Sequence, residues 1–164
     1  MKILICDDEK EYLEILTSHV REYMDKHYIE CDITATVDPV SISRSNIVFD
    51  LAFLDIQMDG VDGISLAKEL RSRNSKLALF FVTNYEEYQD DAMDLQAFRF
   101  FEKPFDANRL YTGLDKAMEY IDGAYVDAMK ALCAKADFVF NFAGVNRPQT
   151  PEEFMQGNFG FAST

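Results

Sequence analysis

Acidic side chains follow two apolar segments of the sequence, where they could bind a cation. Asp7 and Asp8 follow the apolar residues 3–6, and Asp55 follows the apolar residues 51–54. Carboxylates a few ångströms apart repel by about 4 kcal/mol per close pair at an effective dielectric constant of 20, so such a cluster needs a cation or protons. A site in which the protein supplies only a few oxygen ligands suits Mg²⁺, because this ion keeps several bound waters and often binds a phosphate oxygen.

Two further polar residues, Thr83 and Lys103, could meet the charge of a phosphoryl group. Each follows an apolar segment nearer the carboxyl terminus. Asp55 is the candidate acceptor, because its carboxylate would lie between the acidic pair on one side and these two residues on the other. A transferring phosphoryl group spreads negative charge over three oxygens, which Mg²⁺, the ammonium of Lys103 and the hydroxyl of Thr83 could stabilise. Without phosphate, Lys103 would pair with Asp55.

The predicted Mg²⁺ site and the predicted conformational switch use the residues named above and two more, Gln57 and Phe100. Asp8 and Asp55 are predicted as direct ligands, Asp7 as a ligand directly or through water, and the backbone carbonyl of Gln57 as a third protein ligand. When phosphate draws Thr83 towards it, the space behind Thr83 could admit an aromatic ring, for which Phe100 is the candidate. A local charge would thereby become a surface change.

Alternating apolar and amphipathic segments through about residue 122 must position these side chains. Such alternation predicts an α/β fold, a doubly wound parallel sheet covered by helices, with strand order 2-1-3-4-5 and its ligands at the carboxyl ends of the strands. The predicted strands are residues 2–6, 31–37, 51–54, 77–82 and 97–101. Helices are predicted over residues 9–27, from about Asp62 and from about Asp106. The Ser-rich residues 39–46 predict one turn or an irregular loop.

Composition and charge exclude several classes of function. The 164 residues carry a formal net charge of −13 and no basic cluster, so direct binding of nucleic acid by this chain is not expected. Cys6, Cys31 and Cys133 are odd in number and lack metal-site spacing, which favours reduced core thiols in a cytoplasmic protein. No apolar run approaches the roughly 20 residues needed to cross a bilayer, so no membrane association is expected.

These motifs resemble the receiver domains of two-component response regulators. The resemblance covers residues 1–122 and rests on these motifs: Asp7-Asp8-Glu9, Leu54-Asp55-Ile56-Gln57-Met58 leading to Gly63, Val82-Thr83 and Lys103-Pro104. It implies a flavodoxin-like (βα)5 fold, a phosphoacceptor at Asp55 and a sensor histidine kinase as partner. It also implies a cis Lys103–Pro104 peptide bond. Such a domain is a signalling module, whose only chemistry is its own phosphorylation and dephosphorylation.

Finer features of the resemblance concern the output and the phosphate lifetime. Residues 81–88 and 97–104 are most similar to receivers attached to LytTR-type DNA-binding domains, which makes transcription-linked signalling the expected role. Receivers often dimerise through the face of the fourth helix, fifth strand and fifth helix, so a homodimer is expected by analogy. Asp59 stands where the family usually has Pro, and Asn84 where a small residue is frequent. Gln57 and Tyr85 border the path of the hydrolytic water, which indicates a changed lifetime of undetermined direction.

Residues 123–164 do not continue the receiver pattern. Residues 123–135 predict a further helix, and residues 136–148 resemble an internal piece of extended short-chain dehydrogenases that modify nucleotide sugars. The chain lacks the glycine-rich phosphate loop and the Tyr-x-x-x-Lys pair of those enzymes, so this segment is expected to be a vestigial fragment from a fusion, a truncation or an artefact. Alternatives are an inactive pseudo-receiver and an aspartate-nucleophile phosphohydrolase. Gln57 argues against the phosphohydrolase, because that chemistry needs a second Asp there.

Overall fold

The computed structural model of the protein describes residues 1–84 and 97–133. Its sheet has five parallel strands in the order β2-β1-β3-β4-β5, as the sequence predicts. The strands are β1 (Lys2–Cys6), β2 (Asp32–Thr36), β3 (Leu51–Leu54), β4 (Ala78–Thr83) and β5 (Arg99–Glu102). The three central strands consist almost entirely of buried apolar residues, which suits strands covered on both faces.

Helices follow the strands in sequence. The described helices are α1 (Lys10–Lys26), α2 (Pro39–Arg44), α3 (Gly63–Arg73) and α4 (Ala107–Cys133). In α1 the apolar residues at helical spacing, which the amphipathic pattern places on one face, are buried: Leu13, Leu16, Val20 and Tyr23. The carboxylates of Asp62 and Asp106 accept hydrogen bonds from backbone amides of the first turns of α3 and α4, which confirms both predicted helix starts.

Two predictions about helices were wrong. Residues 39–46 were expected to form one turn or a loop, yet Pro39–Arg44 is a helix of six residues whose first amides are capped by Asp38. Residues 123–135 were expected to form a further helix after a break near residue 122. Residues 123–133 are helical as predicted, but the break is wrong, because α4 runs without interruption to Cys133. Gly123 lies inside it. A glycine costs a helix about 1 kcal/mol relative to alanine but keeps its backbone N–H, so it does not by itself end the helix.

Two apolar clusters pack on opposite faces of the sheet. Alternate residues of β4 divide between them, with Phe80 in the cluster that contains α1 and α4 and Phe81 in the cluster that contains α2 and α3. Cys6 is buried and Cys31 is half-buried, and both are free thiols, so of these two cysteines Cys6 alone lies fully in the core as predicted. In the described part of the chain no helix is long and apolar enough to cross a membrane.

The chain divides into two compact units. The first is Met1–Tyr125 and contains the whole sheet. The second is Val126–Thr164, of which the described part is the end of α4. The predicted tail fragment at residues 136–148 lies outside the described residues.

Candidate functional site

The acidic residues predicted to bind a cation meet where the central strands end. In the parallel register Cys6 lies opposite Leu54, so the residues that follow β1 and β3 are neighbours. The amide of Asp55 donates to the carbonyl oxygen of Cys6 at 2.9 Å, which fixes the two chain segments side by side. One carboxylate oxygen from each of Asp7, Asp8 and Asp55 lies within 4.8 Å of the others. The predicted cluster is therefore formed.

The three carboxylates differ in their access to solvent. Asp7 and Asp55 are buried, at 1% and 5% exposure, whereas Asp8 is exposed. Asp8 and Asp55 line an open cleft together with Gln57. The cleft gives a cation and a small phosphoryl donor a way to the buried carboxylates, and it includes the residue whose carbonyl was predicted as a ligand.

The ammonium of Lys103 is the positive charge that the carboxylates enclose. Lys103 follows β5, and its amide donates to the carbonyl oxygen of Thr83 at 3.0 Å. Its Nζ lies 2.7 Å from Oδ2 of Asp55, 2.8 Å from Oδ2 of Asp7 and 3.0 Å from Oε1 of Glu9. The Lys103–Pro104 peptide bond is cis, as the family resemblance implied. The predicted pairing of Lys103 with Asp55 is present.

Burial and pairing act on these charges in opposite directions. Burial by itself lowers the pKa of Lys103, but the hydrogen bonds to Asp55, Asp7 and Glu9 outweigh it, so the pKa of Lys103 is raised and the side chain stays charged. Burial raises the pKa of Asp7, and the contacts with Lys103 offset this only in part. A further cation in the cleft would favour the ionised carboxylates.

Thr83 is a buried polar residue whose side chain is not satisfied by the protein. It is fully buried, and its Oγ1 has no hydrogen-bond partner among the described residues. Phe81 lies opposite Phe100 in the β4–β5 register, so Thr83 and Phe100 project from the same face of the sheet. Phe100 is half-buried against the apolar cluster of that face. The structure thus places the two residues predicted to act as a switch on the same face of two neighbouring strands.

Gly63 allows the α3 helix to start directly against the backbone of Asp55. Its amide donates to the carbonyl oxygen of Ile56 at 2.8 Å. A Cβ atom at this position would lie 1.9 Å from the carbonyl oxygen of Asp55, which no side chain can tolerate without movement of the backbone. This is why the acidic loop needs a glycine eight residues after Asp55.

Two residues at this site were not predicted. Glu9 belongs to the acidic motif, but no contact with Lys103 was assigned to it. The ring of Tyr12 lies under the same ammonium, with Nζ 4.6 Å from the ring centroid. Such a contact is a cation–π interaction. The sequence signal is weak, since it consists only of Tyr12 standing one helical turn after Glu9 at the start of α1.

A family model decides the classification. The model of the response regulator receiver domain matches residues 3–115. The chain belongs to this family. Phosphoryl acceptance by an aspartate is the function of receiver domains, and they bind Mg²⁺.

The curated relatives that this chain matches are longer proteins. This chain is 29% identical over 119 residues to the sensory transduction protein LytT of Bacillus subtilis. The matched region covers 71% of this chain and 47% of LytT. The chain is 28% identical over 123 residues to the transcriptional regulatory protein YpdB of Escherichia coli, and the matched region covers 73% of this chain and 48% of YpdB. The chain therefore spans about half the length of these relatives.

Solved receiver structures share the flavodoxin-like fold. The response regulatory domain of mrkE from Klebsiella pneumoniae superposes with a TM-score of 0.67 at 24% identity, over 75% of this chain and 99% of that one. TrrA from Thermotoga maritima superposes with a TM-score of 0.60 at 24% identity, over 71% of this chain and 97% of that one. The predicted resemblance of the tail to dehydrogenases has no support from these comparisons.

Proposed function

We propose that Asp55 is the phosphoacceptor of this receiver and that a sensor histidine kinase is the donor. The carboxylate of Asp55 forms a bond to phosphorus as the bond between phosphorus and the histidine nitrogen breaks. The observation that carries the proposal is the 2.7 Å contact between Nζ of Lys103 and Oδ2 of Asp55, since it sets a buried positive charge beside the attacking group. The receiver family interacts with such kinases.

The donor set at the cleft fits Mg²⁺. Asp8 and Asp55 would bind the ion directly, Asp7 directly or through water, and Gln57 through its backbone carbonyl, which gives an oxygen-only site. Bound Mg²⁺ supplies positive charge next to the phosphoryl oxygens. The structure of TrrA, a neighbour in fold, is a complex with Mg(2+)-BeF. This supports the binding of Mg²⁺ together with beryllofluoride, a phosphoryl mimic, by the present chain.

Lys103 and Thr83 would stabilise the phosphoryl group from the other side. Lys103 is held charged at 2.7 Å from Asp55, and the hydroxyl of Thr83 is free of partners among the described residues. A hydrogen bond from Thr83 to a phosphoryl oxygen would satisfy that buried hydroxyl. The movement of Thr83 would leave room for Phe100 on the same face of the sheet, and partner contacts would change as a result.

The output of the switch is proposed as a change in protein contacts linked to transcription. The name of YpdB, a transcriptional regulatory protein, and the predicted likeness to LytTR-associated receivers support this. The output would come from a further domain or a separate partner, because this chain is acidic and direct binding of nucleic acid is not expected of it. A homodimer through the face of the receiver family's fourth helix, fifth strand and fifth helix is part of the proposal. The fifth strand and fifth helix correspond to β5 and α4 of this chain, and the segment before β5, residues 85–96, lies outside the described residues.

Chemical phosphorylation tests the acceptor. Incubation with acetyl phosphate and Mg²⁺ should add one phosphoryl group to the wild type, detected as a mass increase, and the Asp55→Asn variant should remain unmodified. The matched control is Asp32→Asn, which removes a carboxylate at the start of β2, on the opposite edge of the sheet, and should be modified like the wild type. Modification of Asp55→Asn to the same extent would assign the acceptor elsewhere. No modification of the wild type would favour the inactive pseudo-receiver.

The tail is proposed to have no enzymatic activity. The resemblance of residues 136–148 to dehydrogenases stays a prediction, and the missing phosphate loop argues against cofactor binding. Titration with NADH or NADPH should therefore give no saturable change in nicotinamide fluorescence. Saturable binding would support the fusion with a nucleotide-sugar reductase segment instead.

A further inference from the structure

Glu9 makes a contact that the proposed phosphotransfer chemistry does not use. It stands at the N-cap position of α1, and its backbone carbonyl accepts the first helical hydrogen bond from the amide of Leu13 at 3.0 Å. The side chain of an N-cap residue usually caps the first free amides of its helix. The carboxylate of Glu9 makes no such bond, and it lies instead at 3.0 Å from Nζ of Lys103.

The three carboxylate partners saturate the ammonium of Lys103. An ammonium has three N–H donors. In the structure these donors meet Asp7, Glu9 and Asp55, and the ring of Tyr12 covers the remaining side at 4.6 Å. The Lys103 side chain is fully buried. No donor is therefore left over for a phosphoryl oxygen, so one of the three partners must give way when Asp55 is phosphorylated.

Glu9 is the partner that can leave at the lowest cost. Its side chain is 49% exposed, whereas the side chains of Asp7 and Asp55 are 2% and 6% exposed. Glu9 can exchange the ammonium for water, while a buried carboxylate that loses its partner stays desolvated. Asp55 also remains covalently attached to the phosphoryl group, so it stays beside the ammonium. The ring of Tyr12 is independent of this exchange and would keep the ammonium in place.

We propose that Glu9 is an exchangeable partner of Lys103, which occupies one ammonium donor in the resting state and is displaced by the phosphoryl group on Asp55. Glu9 is a positioning residue that acts through Lys103. It keeps the ammonium aimed at the site and, by competing with the phosphoryl oxygens, it lowers the affinity of the site for them. The inference rests on the proposed function of Asp55.

Affinity for a phosphoryl mimic tests the competition. In Glu9→Gln the isosteric amide holds the ammonium more weakly, and beryllofluoride in saturating Mg²⁺ should bind about fivefold more tightly than to the wild type, as expected for loss of one partly exposed charged contact. The control is Glu11→Gln, which removes the same charge from an exposed position two residues along α1. Its affinity should match the wild type. Binding is measured by isothermal titration calorimetry.

A spectroscopic measurement separates displacement from a general effect of charge. In ¹⁵N-lysine NMR spectra the ammonium signal of Lys103 should differ between the wild type and Glu9→Gln without ligand. The two signals should coincide when beryllofluoride and Mg²⁺ are saturating, because Glu9 no longer contacts the ammonium.

Three outcomes would overturn the inference while leaving Asp55 as the acceptor. These are equal tightening in Glu9→Gln and Glu11→Gln, weaker binding in Glu9→Gln, and a signal difference that persists at saturation. A wild type that binds no beryllofluoride would overturn the proposed function itself, and the inference with it.

Discussion

Thr83 has properties that favour ligand binding over the stability of the resting protein. Its hydroxyl is fully buried and has no partner among the described residues, which costs free energy because the group has lost its water. A buried polar atom without a partner is more often found where a ligand or ion completes the hydrogen bonding. The position of Thr83 at the end of β4, beside the acidic cleft, agrees with that interpretation.

Replacement of Thr83 by the isosteric Val should therefore have opposite effects on stability and binding. Removal of the unpaired hydroxyl should raise the free energy of unfolding in EDTA by about 1 kcal/mol, and it should weaken beryllofluoride binding because a donor is lost. Urea denaturation and calorimetry measure the two effects.

Thr36→Val is the control for this comparison. Oγ1 of Thr36 accepts a hydrogen bond from the amide of Asp38 at 3.0 Å, so the same substitution should lower stability by about 1 kcal/mol and leave binding unchanged. A destabilised Thr83→Val variant would show that the hydroxyl is satisfied in the resting protein.

The residues of the site differed in how well the sequence predicted them. Five residues could be located because each stands at or just after the carboxyl end of a predicted strand, and parallel strands end at one edge of the sheet: Asp7, Asp8, Asp55, Thr83 and Lys103. The contacts of Glu9 and Tyr12 with Lys103 could not, because they depend on the direction in which the first turn of α1 leaves the sheet. That direction is set by packing of the whole helix and leaves no signal in the spacing of residues.

At the scale of elements, α2 shows why a short helix can escape prediction. Its start has a local signal, since Asp38 caps the amides of Val40 and Ser41 and Pro39 occupies the first turn. Its end is stabilised from a distant segment. The guanidinium of Arg73, in the last turn of α3, donates to the carbonyl oxygens of Ile42 at 3.3 Å and Ser43 at 2.6 Å. A six-residue helix would be marginal without such support.

Arg73→Ala should loosen α2 specifically. The loss of two hydrogen bonds to carbonyl oxygens of α2, and of the contact with Glu69, should lower the free energy of unfolding by about 1–2 kcal/mol. Amide hydrogen exchange in Ile42 to Ser45 should accelerate more than exchange in β1. Arg44→Ala is the control, because Arg44 is exposed in the last turn of α2 and its loss should change stability by less than about 0.5 kcal/mol. Equal effects of both variants would mean that Arg73 contributes only its charge.

At the scale of the molecule, the five strands were predictable and the end of the last helix was not. Continuous apolar runs with acidic or polar residues after them are typical of buried parallel strands such as β1, β3 and β4. All five strands lie within two residues of their predicted bounds. The end of the receiver was predicted at residue 122, where the sequence resemblance to the receiver family ends. The helix itself continues to Cys133, because helix formation depends on local backbone geometry and does not stop where family resemblance ends.

The described core predicts how much of the chain the receiver needs. The last buried apolar residues in the described part of the chain are Ala117 and Ile121 of α4, and the first compact unit ends at Tyr125. A chain that ends after Tyr125 should keep the thermal stability and the beryllofluoride affinity of the whole protein. A chain that ends after Lys116 loses both core residues and should be destabilised by about 3 kcal/mol or more. Circular dichroism melting and calorimetry on the three proteins measure this. If the chain ending after Tyr125 melts as early as the shorter one, residues beyond 125 belong to the folding unit of the receiver, and the boundary predicted at residue 122 is wrong.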